Sequence, residues 1–85
     1  MKKCRPINNA KNEFLKWLKK NKAECLSVFN GKDKDWDYYT CVSAFVKDNL
    51  YTVYFMMWQD TVKINYFDDE NTHTNMDVDE FTSLL

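Results

Sequence analysis

The spacing of apolar positions changes period along the chain, and each change marks a new element. Between Asn9 and Asn30, Phe14, Leu15, Leu18, Cys25, Leu26 and Phe29 fall on one side of a wheel drawn at about 100° per residue. Asn12, Lys16, Lys19, Lys20 and Ala23 take the other side. Asn8 or Asn9 offers a short amide to the free N–H groups of a first turn, and Asn30-Gly31 supplies the glycine favoured just beyond a helix end. The pattern predicts one helix from about Asn9 to Asn30. Lys22 interrupts its apolar face, and a shorter helix followed by a strand over Cys25–Phe29 is the competing reading.

Beyond a charged loop, Lys32–Asp37, the period falls to two. Tyr38, Thr40, Val42, Ala44 and Val46 alternate with Tyr39, Cys41, Ser43 and Phe45, as in a strand. Asp48-Asn49 fits a two-residue turn, because both residue types tolerate left-handed backbone. Leu50–Trp58 is apolar on both sides and predicts a central strand. After a turn at Gln59-Asp60, Val62, Ile64 and Tyr66 alternate with Thr61, Lys63 and Asn65 in a third strand with one wet face. Asp68–Asn75 reads as a polar loop. Asp77, with Glu80 three residues later, resembles a capping box before the short stripe Val78, Phe81, Leu84, Leu85. The expected fold is α+β in two layers: an N-terminal helix, a three-stranded antiparallel meander and a short C-terminal helix, both helices on one sheet face.

Eighty-five residues make one domain, 1–85, with residues 1–8 as a basic arm. A chain of this length buries only about 60–65 % of its unfolded surface. Six Phe, five Tyr and three Trp offset that shortage with large side chains, and homo-oligomerisation would offset it further. The longest uninterrupted apolar run, Tyr54–Trp58, is far shorter than the roughly 20 residues of a membrane span. No apolar stretch of the secretory type follows Met1-Lys2-Lys3, so a cytoplasmic location and no membrane partner are expected.

Catalytic and metal chemistry find little to build on. Cys4, Cys25 and Cys41 are an odd set with wide spacings, unlike a disulfide framework or a zinc site. Cys25 and Cys41 are expected as small buried hydrophobes and Cys4 as an exposed thiol. His73, the one histidine, lies in a polar stretch and reads as solvated rather than as a general base. Asp68, Asp69 and Glu70 lack calcium-loop spacing, and one glycine cannot make a phosphate loop. The sequence predicts no enzyme, no metal and no cofactor.

Charge changes the picture. Residues 1–22 hold eight basic groups (Lys2, Lys3, Arg5, Lys11, Lys16, Lys19, Lys20 and Lys22) against Glu13, a net of +7. Residues 23–85 hold four basic groups against twelve acids, a net of −8, and the total of −1 conceals the asymmetry. Such a pole serves as a solubilising face, as a site for an acidic protein partner, or as a track for phosphates. In the last reading Lys16, Lys19 and Lys20 follow an RNA backbone, Lys11 and Lys22 add charge, Lys2, Lys3 and Arg5 wrap it, and Trp17 stacks a base. With Arg5 as the only arginine, base-edge readout of duplex DNA is poorly equipped, and non-sequence-specific RNA binding fits better.

Lys outnumbers Arg eleven to one, while Asn, Asp, Tyr and Phe are abundant and Ala, Gly and Pro are scarce, as AT-rich codons dictate. With Met1-Lys2-Lys3 and the segment Phe14–Lys22, this economy resembles the small early counter-defence proteins of T-even-type phages. The resemblance implies an RNA-binding inhibitor acting in the host cytoplasm, without catalysis, on a host ribonuclease toxin of a toxin–antitoxin system. A protein-binding inhibitor of the anti-CRISPR kind, working without nucleic acid, has the same sequence style.

Overall fold

The computed structural model describes residues 5–32, 38–58 and 61–85, with the side chains of Arg5, Pro6 and Trp58 outside that description. Seven elements follow in order: α1 (Arg5–Lys20), β1 (Glu24–Gly31), β2 (Tyr38–Val46), β3 (Asn49–Trp58), β4 (Thr61–Phe67), β5 (Thr72–Met76) and α2 (Val78–Leu84). The strands form one antiparallel sheet whose spatial order, β1-β2-β3-β4-β5, is also the sequence order. The fold is α+β, with five strands where the period-two pattern predicts three.

The first helix is the largest correction. It begins at Arg5, within the expected arm 1–8 and ahead of the expected Asn8 or Asn9 cap, because Ile7 packs into the core. It stops at Lys20, not Asn30, and the competing reading of a strand over Cys25–Phe29 holds. Lys22, the residue that spoiled the long apolar face, adopts φ 58°. Its N–H donates to the Lys19 carbonyl at 3.1 Å, and the Ala23 N–H donates to the Leu18 carbonyl at 2.9 Å. This is a Schellman closure with lysine where glycine is usual. Gly31 lies in β1 instead of ending a helix. The Tyr39 ring packs so closely on it that an added Cβ would stand 2.7 Å from the phenol oxygen.

Two smaller corrections concern turns and edges. Lys47 and Asp48, both at positive φ (50° and 70°), turn β2 into β3, one residue earlier than Asp48-Asn49. Positive φ at both positions is the type I′ geometry that suits strand twist. The expected loop Asp68–Asn75 shortens to a turn closed by the Asp68 N–H on the Asn71 carbonyl (3.0 Å), and Thr72–Met76 pairs with β4 as an edge strand. Lys32 precedes undescribed residues, and the Gln59-Asp60 turn lies outside the described residues.

Both helices cover the same sheet face. Ile7, Ala10, Phe14 and Leu18 of α1 recur at helical spacing and are buried against Val42, Ala44, Val53, Phe55 and Ile64. Phe14, Phe55 and Phe81 meet at centroid distances of 5.4–6.2 Å and tie α1, β3 and α2 together. The capping box starts α2 as its sequence implies: the Glu80 N–H donates to Asp77 Oδ1 at 2.8 Å, and the Asp77 N–H to Glu80 Oε1 at 3.3 Å. Leu18, Val53, Phe55 and Ile64 occupy the core that the pattern assigns them. Phe29 does not: it is 60 % exposed, because β1 turns it to the sheet face that no helix covers. Cys25 is likewise exposed, at φ 56° in the irregularity between Glu24 and Ser27, while Cys41 is half-buried.

Candidate nucleic-acid interface

Core burial orients the lysines. Because Ile7, Ala10, Phe14 and Leu18 face the sheet, helical periodicity turns Lys16, Lys19 and Lys20 away from it, and all three are exposed. Glu13 is the one acid of α1 and lies 3.6 Å from Lys16 Nζ, a surface pair worth little in water. Lys19 and Lys20 end the helix, where positive charge offsets the partial negative charge of the last carbonyls by about 0.3–1 kcal/mol. Lys11 is half-buried on the flank of α1. Arg5 opens the helix, and Lys2 and Lys3 lie outside the described residues, so the wrapping arm has no described geometry.

Two members of the expected set sit apart from this row. Trp17 is half-buried, stacked on Phe14 (5.9 Å between centroids) and in edge contact with Tyr51 (5.3 Å). Its ring is committed to the rim of the core, which leaves the outward α1 face without an aromatic. Lys22 has left the helix and lines a small cavity with Glu24, Cys25, Phe45, Lys47 and Asp48. Lys47 meets Lys22 there, and Glu24 and Asp48 balance the two lysines. The place of Lys47 depends on the β1–β2 register and is invisible to local sequence.

The opposite side of the sheet is a second surface, and among the described residues no layer covers its aromatics. Phe29, Phe45, Leu50 and Tyr54 are exposed there, with Tyr39, Cys41 and Phe67 half-buried among them. Phe29 leans on Tyr39 (6.1 Å) and Tyr54 meets Phe67 edge-on (6.1 Å). Lys63, paired with Met56, is the charged residue at the middle of this face. The alternation Tyr39, Cys41, Ser43, Phe45 carried this information, but a strand pattern alone does not say which face remains bare. The lysine row and the aromatic face point in opposite directions, so one bound strand cannot touch both.

Tyr66 and Asp68 form a local hydrogen-bonded turn. The Tyr66 hydroxyl donates to Asp68 Oδ2 at 2.6 Å, and the Glu70 and Asn71 N–H groups donate to Oδ1 at 2.9 and 2.6 Å. The Tyr66 bond leads in holding the Asp68 carboxyl below the usual carboxylate range, while burial leads in raising Tyr66. Asp68 thus spends both oxygens within its turn. His73 lies in β5, not in a loop, with its ring 5.8 Å from Tyr66. Burial pushes the Cys41 thiol up, which disfavours the thiolate form that reacts. Among the described residues no three His, Cys, Asp or Glu side chains are grouped to hold a metal ion, and no helix is long and apolar enough to cross a membrane.

Comparison with protein-family models, curated proteins and solved structures finds no match.

Proposed function

We propose that the chain is a non-catalytic RNA-binding accessory protein of the inhibitor type, which holds RNA phosphates on the outward face of α1. The observation that carries this reading is the row Lys16, Lys19 and Lys20, solvent-exposed and opposed by Glu13 alone on the helix. Lys11 flanks the row, while Lys22 and Lys47, beyond its C-terminal end, are offset by Glu24 and Asp48. With Trp17 committed to the core rim, recognition rests on charge and is indifferent to base sequence. About four phosphate contacts on a single strand give a slope near −3 in log affinity against log salt. Changing Lys16, Lys19 and Lys20 together to Gln flattens that slope by about 2 and weakens different RNA sequences alike. A gel-shift titration at two salt concentrations tests this. Failure of the wild type to retain RNA at low salt discards the reading.

The bare sheet face supports a second reading, in which the chain inhibits by binding protein. Exposed aromatics with few charges have the composition of an interface core. A phage-type inhibitor of a host ribonuclease toxin, working in the host cytoplasm, would use both surfaces: toxin on the sheet and RNA on the helix. A variant Phe45→Lys that loses the protein partner but keeps RNA separates the two surfaces.

A further inference from the structure

The two edges of the sheet are finished differently. β5 is five residues long, polar through Thr72, His73, Thr74 and Asn75, and irregular where it meets β4. These are the usual means of keeping an edge from pairing with another chain. β1 is eight residues long, its irregularity is confined to its start between Glu24 and Ser27, and its first seven residues are exposed. From Leu26 to Gly31 it carries no charge and no proline. Its apolar residues are bare on both faces: Leu26 (54 % exposed) and Val28 (43 %) on the helix side, Phe29 (60 %) on the other. α1 covers β2 and β3 but stops short of β1, and a groove of about 370 Å³ opens between them, lined by Leu15, Leu18, Lys19, Ala23 and Leu26. Among the described residues nothing lies against the outer edge of β1.

We infer that β1 is the self-association edge of this protein, pairing antiparallel with β1 of a second copy about a two-fold axis at Val28. Charge favours this occupant and this register. In an antiparallel pair, residues directly opposite share a face, so the axis must pass through a residue. Centred on Val28, the pairing sets Val28 against its own copy and Leu26 against Asn30, and, past the extra residue at Cys25, brings Glu24 to Gly31 beside Lys32 at both ends. Centred on Ser27 it would carry Lys32 two or more residues past Glu24 and lose that pair, and centred on Phe29 it would set Leu26 against Lys32. Area bounds the size class of the contact. Leu26, Val28, Phe29 and the strand edge together cover on the order of 1,000 Å² over both copies, at the low end for a specific contact. A contact of this size belongs with the weak, reversible ones. An axis normal to the sheet places both α1 helices on the same side of one ten-stranded sheet, with Lys19 of each copy facing the trough between them.

Analytical ultracentrifugation of the full chain tests this independently of RNA. The wild type should approach twice the chain mass as its concentration is raised and dissociate on dilution. Val28→Lys, which places two like charges on the axis, should sediment as the single chain with an unchanged far-ultraviolet spectrum. Val28→Cys, with Cys4, Cys25 and Cys41 replaced by Ser, should form a covalent dimer on mild oxidation, because paired strands hold the two Cα atoms within disulfide range. This arm decides the matter if Val28→Lys fails to fold. A wild type that stays at the single mass, or a dimer that survives Val28→Lys, overturns the proposal. So does a Val28→Cys variant that does not cross-link.

Discussion

Replacing Lys22 by glycine measures where α1 ends. Lys22 sits at φ 58° as the closing residue of the helix, with Leu18 and Ala23 meeting beneath it in the groove. A side chain in left-handed backbone costs roughly 1–2 kcal/mol, and glycine escapes that cost. Glycine also gives up more freedom on folding, by roughly 0.5–1 kcal/mol. The balance is a gain of about 0.5–1 kcal/mol for Lys22→Gly over Lys22→Ala. The side chain is exposed and makes no ion pair among the described residues, so little else changes. Had the helix run on to Asn30, glycine at 22 would stand in a helix interior and lose about 1 kcal/mol to alanine. The two geometries thus differ in sign. Urea unfolding followed by tryptophan fluorescence reads the difference, and a gain of 1 kcal/mol should raise Tm by about 4–8 °C. A glycine variant less stable than the alanine variant by half a kcal/mol or more would refute the Schellman closure.

Two further outcomes follow from the core and from the Tyr66–Asp68 bond. Leu18→Ala should cost about 2–5 kcal/mol in chemical denaturation, whereas Phe29→Ala should leave the monomer within about 1 kcal/mol, and equal losses would contradict the placement of β1. Asp68 is held ionised in the fold, so its contribution is full above the unfolded value near pH 4 and fades as pH falls through the lower folded value. Tyr66 is held neutral, so its contribution is full below about pH 10 and fades as pH rises toward the raised folded value. Urea midpoints of Tyr66→Phe should vary less with pH at both ends than those of the wild type; superimposable profiles would show that the bond contributes nothing.

What the sequence revealed depended on whether a physical constraint leaves a local trace. Val53, Phe55 and Ile64 alternate with polar or opposite-face residues, and Leu18 lies on a helical stripe, so their burial was legible. The end of α1 was not, because lysine in left-handed backbone has no residue signature and the apolar stripe continues through Cys25 and Leu26 by coincidence of spacing. Residues Thr72–Asn75 contain no apolar alternation, so only pairing with β4 reveals a strand there. For the candidate site, the outward row Lys16, Lys19, Lys20 was legible from helical periodicity. The commitment of Trp17 to Tyr51 depends on how the helix docks, and the arrival of Lys47 beside Lys22 depends on strand register; neither is written locally.

Because strand order equals sequence order, every strand contact is made between neighbours along the chain. Such a sheet assembles hairpin by hairpin, with short loops to close and none of the long crossovers that slow β proteins. The contact that joins opposite ends of the chain, Phe14 against Phe81, forms between helices docked on the same finished face. A topology of local pairings favours forming the sheet before this closure. Weakening it should therefore leave the folding rate nearly unchanged and accelerate unfolding, which makes the short helix α2 the latch that governs how long the folded molecule lasts.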